Sequence, residues 1–234
     1  MPINNSIKST FIVLTLISSS AVSAASFIPA STDTDYNYAG IKAGGALPGN
    51  IQGNTDLQNS SGNKAYTAGM FVGRKIQDRF AVELEYMNRG KSDVNSSYSG
   101  GNARDSWAVK ADTFMLNMVV DVMTDTKVRP YFKIGLGASV NKSNPYVSYN
   151  NGTTQTWGGK TVTKFAWQVG FGADMPVNKT ISTIFAYNYV NRGKFKTQNG
   201  YSEIDGLGSS YTEGSPQTGK LRDQSLTVGL KFKF

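Results

Sequence analysis

The chemistry open to this chain is bounded first by two absences. Its 234 residues include no histidine and no cysteine. Cys–His and Ser–His–Asp nucleophilic catalysis are therefore excluded, as are metal sites built on imidazole or thiolate ligands. Ser–Lys and carboxylate chemistry remain formally open. The loop acids Glu203, Asp205 and Glu213 are where residual acid–base activity would be sought, and their substitution is expected to change nothing. No cofactor or metal is expected. Charge-based recognition is a broader possibility: 24 Lys and Arg stand against 16 Asp and Glu, a net +8 with pI ≈ 9.5. That balance suits nucleic acid, acidic polysaccharide or anionic lipid. One basic phrase, NRGK, occurs twice, at Asn88–Lys91 and Asn191–Lys194. Each copy follows tyrosines (Tyr86; Tyr187 and Tyr189) and opens a long polar segment.

The elements that would position these residues show in a period of two. Leu226, Val228, Leu230, Phe232 and Phe234 are apolar, and Ser225, Thr227, Gly229, Lys231 and Lys233 lie between them. Strict alternation over ten residues is a strand with one greasy face, about long enough to cross a bilayer at a tilt. The same grammar recurs around Phe165–Asp174, Phe132–Val140, Phe114–Val122 and Val82–Met87, and more weakly in Ala39–Leu47, Ala68–Val72 and Thr183–Tyr189. In the last, Ile184 falls on the polar face and leaves the register open. Eight strands result. Short gaps at 76–79, 123–127 and 175–179 alternate with long ones at 48–64, 88–107, 141–160 and 191–222.

The amino terminus reads as an export signal. Lys8 precedes the apolar run Phe11–Ile17, and Val22-Ser23-Ala24 offers small residues for cleavage after Ala24. The expected organisation is a cleaved signal peptide over 1–24, a lead over 25–35 and a single barrel domain over 36–234. No run after the leader reaches the ~18 apolar residues of a spanning helix, so a closed barrel is the one way for this chain to cross a membrane.

Alternation alone does not say which face meets solvent. The polar face is rich in glycine and carries both signs: Lys42, Lys133 and Lys231 against Glu83, Glu85, Asp121 and Asp174. Such residues suit the lumen of a narrow barrel, with the apolar face outward in lipid.

The stretches GRKIQDRFAVELEYMNRG, RPYFKIGLGASV, FAWQVGFGADMPVNKTIS and the closing LTVGLKFKF resemble the OmpA/OmpX-like eight-stranded outer-membrane barrels of Gram-negative bacteria, and within them the rickettsial-type surface adhesins. The resemblance spans the chain after the leader. It implies an all-β, eight-stranded antiparallel up-and-down transmembrane β-barrel with short periplasmic turns and four long extracellular loops. It also implies that Leu230, Phe232 and Phe234 are read by the barrel-assembly machinery. The resemblance does not imply the periplasmic peptidoglycan-binding tether that OmpA adds to its barrel.

In that frame NRGK is a strand exit. Arg89, Lys91, Arg192 and Lys194 are expected near lipid headgroups, below two loops that lie on opposite sides of the ring and do not adjoin. A narrow barrel leaves function to its loops. Tyr98, Tyr146, Tyr149, Trp157, Tyr201 and Tyr211, with Lys142, Lys160 and Lys196, are the candidate ligand contacts: stiff aromatic anchors among adaptable polar neighbours. The expectation is a surface adhesin or immune-evasion protein, not an enzyme. Its partners would be outer-membrane lipid, the barrel-assembly machinery and a host extracellular protein; the resemblance implies serum regulators such as vitronectin. The alternative is a passive structural or small-conductance barrel with antigenic loops. Nucleic acid is not an expected partner, because the aromatics do not line a basic groove.

Overall fold

A computed structural model describes residues 35–49, 61–62, 64–98, 103–124, 126–205 and 208–234, with side chains described for these except at 48, 61–62, 92–98, 103–107 and 145–146. The expected leader, nearly all of the lead and most of 48–64 lie outside the described residues, as do the side chains of Tyr98 and Tyr146.

Twelve strands form: β1 (Tyr36–Pro48), β2 (Ser61–Gly62), β3 (Ala65–Lys75), β4 (Phe80–Tyr98), β5 (Ala103–Asp121), β6 (Arg129–Tyr149), β7 (Thr154–Trp157), β8 (Lys160–Pro176), β9 (Ile181–Lys196), β10 (Tyr201–Asp205), β11 (Gly208–Thr212) and β12 (Thr218–Lys233). Eight of them close a ring of antiparallel ladders in the order β1–β3–β4–β5–β6–β8–β9–β12. The closing ladder runs from Tyr38↔Lys233 to Pro48↔Asp223. Closure leaves every backbone group of the spanning region a partner within the sheet, which hydrocarbon requires.

The faces are those of a membrane barrel. Leu84, Leu116, Leu136, Phe132 and Phe171 point outward and are 55–59 % exposed, whereas Lys42, Glu85, Asn117, Lys133 and Gln168 are buried inside. In water each stranded Leu or Phe would forfeit roughly 1.5–3 kcal/mol, and most ring strands expose two or more. Hydrocarbon as the surrounding solvent removes that cost. Ile184 turns inward and packs with Tyr38, Phe71 and Ala81, so Phe185 and its alternate neighbours face lipid.

The short connections, 76–79, 122–128 and 177–180, lie at one end. In one of them Asn178 Oδ1 accepts from the Thr180 and Ile181 amides at 2.9 and 2.7 Å. At the other end the strands run past the expected exits. The β4–β5 ladder continues to Tyr98↔Ala103 and β6 to Tyr149, so most of 88–107 and much of 141–160 is sheet where loop was expected. Outside the bilayer neither face of a strand needs to be apolar, so the period-two signal fades while the ladder persists.

Candidate binding face at the long-loop end

The lumen is built in tiers. Next to the short turns, Lys75 pairs with Asp121 and Lys231 with Asp174. At mid-height Glu85 lies 2.9 Å from Lys42 and 2.7 Å from Lys133, which also reaches Glu83 at 3.3 Å. Asn117 Nδ2 donates to Glu85 and Glu83 at 2.9 and 3.2 Å, and Gln168 Nε2 donates to Asn117 Oδ1 at 2.6 Å. Buried charges persist only when paired and hydrogen-bonded. Each acid here has a basic partner from another strand, so the network ties the ring across its middle. A gap of about 10 Å³, bordered by Thr67, Met87, Met115 and Asn188 among others, has room for at most about one water.

Above it the two NRGK copies meet. Arg89 and Arg192 are 0 % and 2 % exposed, and their Nε atoms lie 2.7 and 3.0 Å from the same oxygen, Asp223 Oδ2. Arg192 also donates to Thr113 Oγ1. This corrects two expectations. Neither arginine reaches a headgroup, and the copies do join. Their strands, β4 and β9, do face each other across the ring, but an eight-stranded lumen is narrow enough for two long side chains to share one carboxylate. Lys91 and Lys194 do turn outward, and both are exposed.

Each copy also carries a β-bulge. The β4–β5 register shifts between Arg89 and Ser92, and the β9–β12 register shifts opposite Lys220–Arg222. In the second copy Gly193 takes φ +75°, and its amide donates to Asn191 Oδ1 at 3.0 Å. In the first, the ring of Tyr66 covers Gly90, with a carbon 2.2 Å from where a Cβ would stand. The bulge lets arginine point in and lysine, two residues on, point out.

The β9 bulge also ends a ladder. β8 and β9 pair only from Pro176↔Ser182 to Trp167↔Asn191, although both strands continue. Beyond that point β6 side chains hold β9: Asn141 Nδ2 donates to the Arg192 and Lys194 carbonyls at 2.8 and 3.4 Å, and Ser143 Oγ to the Lys196 carbonyl at 3.1 Å. Val109, Ala111, Phe195 and Leu221 then close the lumen as an apolar plug.

Over the plug the long connections interlock. β7 pairs with β6 on one side and β10 on the other, and β10 pairs with β11, so segments from two different loops make one small sheet. Trp157 and Tyr201 are ladder partners with ring centroids 5.1 Å apart. Tyr149 Oη donates to Gln155 Oε1 at 3.2 Å, and Gln155 Nε2 to Glu203 Oε2 at 2.7 Å. These five residues share one face of the sheet. Tyr211 stands on the other, 66 % exposed, with its hydroxyl donating to the Asn199 carbonyl at 2.8 Å. Lys160 and Lys196 sit at strand ends nearby. Lys142 does not belong to this group: it lies within β6, on the outer wall, directly opposite Lys110. Leu230, Phe232 and Phe234 face outward along the closing strand and are 42, 41 and 65 % exposed. Gln155 and Glu203 carry no local sequence signal for these networks. For Asp223 a signal exists, since it shares the inward parity of Ser225 and Thr227.

The family model for the outer membrane protein beta-barrel domain matches residues 10–234. The chain is 26 % identical over 183 residues to outer membrane protein PagN of Salmonella typhimurium, covering 72 % of this chain and 73 % of that protein. It is 25 % identical over 179 residues to a candidate adhesin, RP828, of Rickettsia prowazekii, covering 73 % and 75 %. Among solved structures it is similar to Neisserial surface protein A, with a TM-score of 0.51 at 16 % identity over 85 % of this chain and 97 % of that one.

Proposed function

The chain belongs to the outer-membrane β-barrel protein family and lies in the outer membrane of a Gram-negative bacterium, and from that premise we propose that it is a surface adhesin or immune-evasion protein that binds a host extracellular protein at its long-loop end. The observation that carries this reading is the β7–β10–β11 sheet. Two loops that cross-pair form a fixed platform, so its aromatic and polar groups are already ordered before a partner arrives. The adhesin name of one relative supports the same direction. In this reading the short turns are periplasmic, a leader over 1–24 is removed, and the carboxy-terminal Leu230, Phe232 and Phe234 guide assembly. The chain is not an enzyme, and a serum regulator such as vitronectin is the class of ligand to try first.

The alternative of a small-conductance barrel is disfavoured by the side chains that occupy the lumen among the described residues: the Glu85 ion pairs at mid-height, the Arg89–Asp223 pair and the Phe195–Leu221 cluster. A non-conducting structural role stays as the second reading. The test is capture of serum and cell-surface proteins by the refolded barrel. Replacing 199–215 with a short linker should abolish capture while the barrel still folds. Capture no greater than that of an unrelated barrel of similar charge overturns the proposal.

A further inference from the structure

Just beyond the apolar band, the strand register sets lysines face to face on the outer wall. Lys110 of β5 is the ladder partner of Lys142 of β6, and Lys194 of β9 is the partner of Lys220 of β12. All four are exposed. Directly opposed residues hold their Cβ atoms about 4.5–5.5 Å apart, and like charges there destabilise a sheet. The fold does not require lysine at these positions, since any polar residue suits an outward site above the bilayer core. Among the described residues neither Lys110 nor Lys142 has an acidic partner. Among the described side chains the outward acid beside them is Asp112, which is engaged by Tyr86 Oη and Asn88 Nδ2, each at 2.7 Å from its Oδ1. Two adjacent ammonium groups without a carboxylate make a site for a shared anion.

Depth identifies the source of that anion. Val140 is the outward apolar residue of β6 just before Lys142, which follows two positions later, a rise of about 7 Å along the strand and less across the bilayer when the strand tilts. That is headgroup depth. The side chains project sideways from the wall and not upward from the loops, so they face neighbouring lipid. We propose that Lys110 and Lys142 clamp the phosphate of an anionic lipid headgroup. The proposal rests on the barrel's place in the membrane and not on the adhesin reading.

The test is a titration of the labelled barrel in maltoside micelles with short-chain phosphatidic acid or phosphatidylcholine, followed by amide chemical shifts. Phosphatidic acid should bind more tightly and move amides around 110 and 142. K110Q/K142Q should weaken it by roughly fivefold per lysine, while K127Q/K179Q, at the short-turn end, should not. Single K110Q and K142Q variants serve if the double variant does not fold. Unchanged affinity in K110Q/K142Q, or an equal loss in K127Q/K179Q, overturns the clamp. The same shifts from equimolar inorganic phosphate would overturn the lipid assignment. So would a double variant that loses binding to a sulfated glycan yet keeps phosphatidic acid.

Discussion

Asp223 is the residue on which the upper lumen turns. It is the common acid for Arg89 and Arg192, so removing it strands two buried guanidinium groups, whereas removing one arginine leaves a balanced pair. Asp223→Asn should therefore cost about 3–5 kcal/mol, read as a shift of the urea midpoint in lipid vesicles. Arg89→Gln should cost clearly less; the opposite order would mean that Asp223 is not the hub. Part of this was legible in the sequence. Arg89 shares the odd parity of Glu83 and Glu85, so counting on by twos from Met87 turns it inward. The convergence was not legible, because strand order places β4 and β9 apart and only the width of the lumen brings their side chains together. The lysine–glutamate network at mid-height was readable in kind, from mixed charge on a glycine-rich face, but its partners depend on the ring's stagger.

At the scale of the strand, the second NRGK bulge rests on Gly193. Its positive φ is strained for any residue with a Cβ, which would also lie 2.6 Å from Lys164 Cβ. Gly193→Ala should destabilise by roughly 1–2 kcal/mol or more, again in vesicle unfolding. The ladder beyond that bulge is replaced by the Asn141 and Ser143 side chains. Asn141→Ala should then raise amide exchange at 194–196 well before exchange rises at the β1–β12 seam, and uniform protection would contradict this account. The strands themselves were legible wherever lipid demanded an apolar face. Their outer continuations were not, since Ser, Asn and Lys on both faces carry no period. The pairing of β7 with β10 joins loops more than forty residues apart, a contact that no local signal announces.

As a whole molecule the barrel is inverted, and that sets its behaviour. Leu136 and Leu116 are ladder partners on the outer face near mid-height. Leu136→Arg should cost about 2–4 kcal/mol in a bilayer, whereas the same change in a water-facing barrel would be almost free. Folding should likewise require detergent or lipid, and a compact monomer in plain buffer by sedimentation would contradict the fold's orientation. The overall architecture was the most legible feature of all, because eight amphipathic segments of alternating spacing admit few closures. One detail of the closure has a consequence in time. Asn37 and Phe234 exchange amide bonds at 3.0 and 2.9 Å, so the start of β1 is fastened just past the end of β12. A ribosome delivers β12 after the other seven ring strands. Until it arrives the sheet has two raw margins that oil cannot solvate, so a chain without β12 has no stable resting place in the bilayer and must be chaperoned until that strand is made.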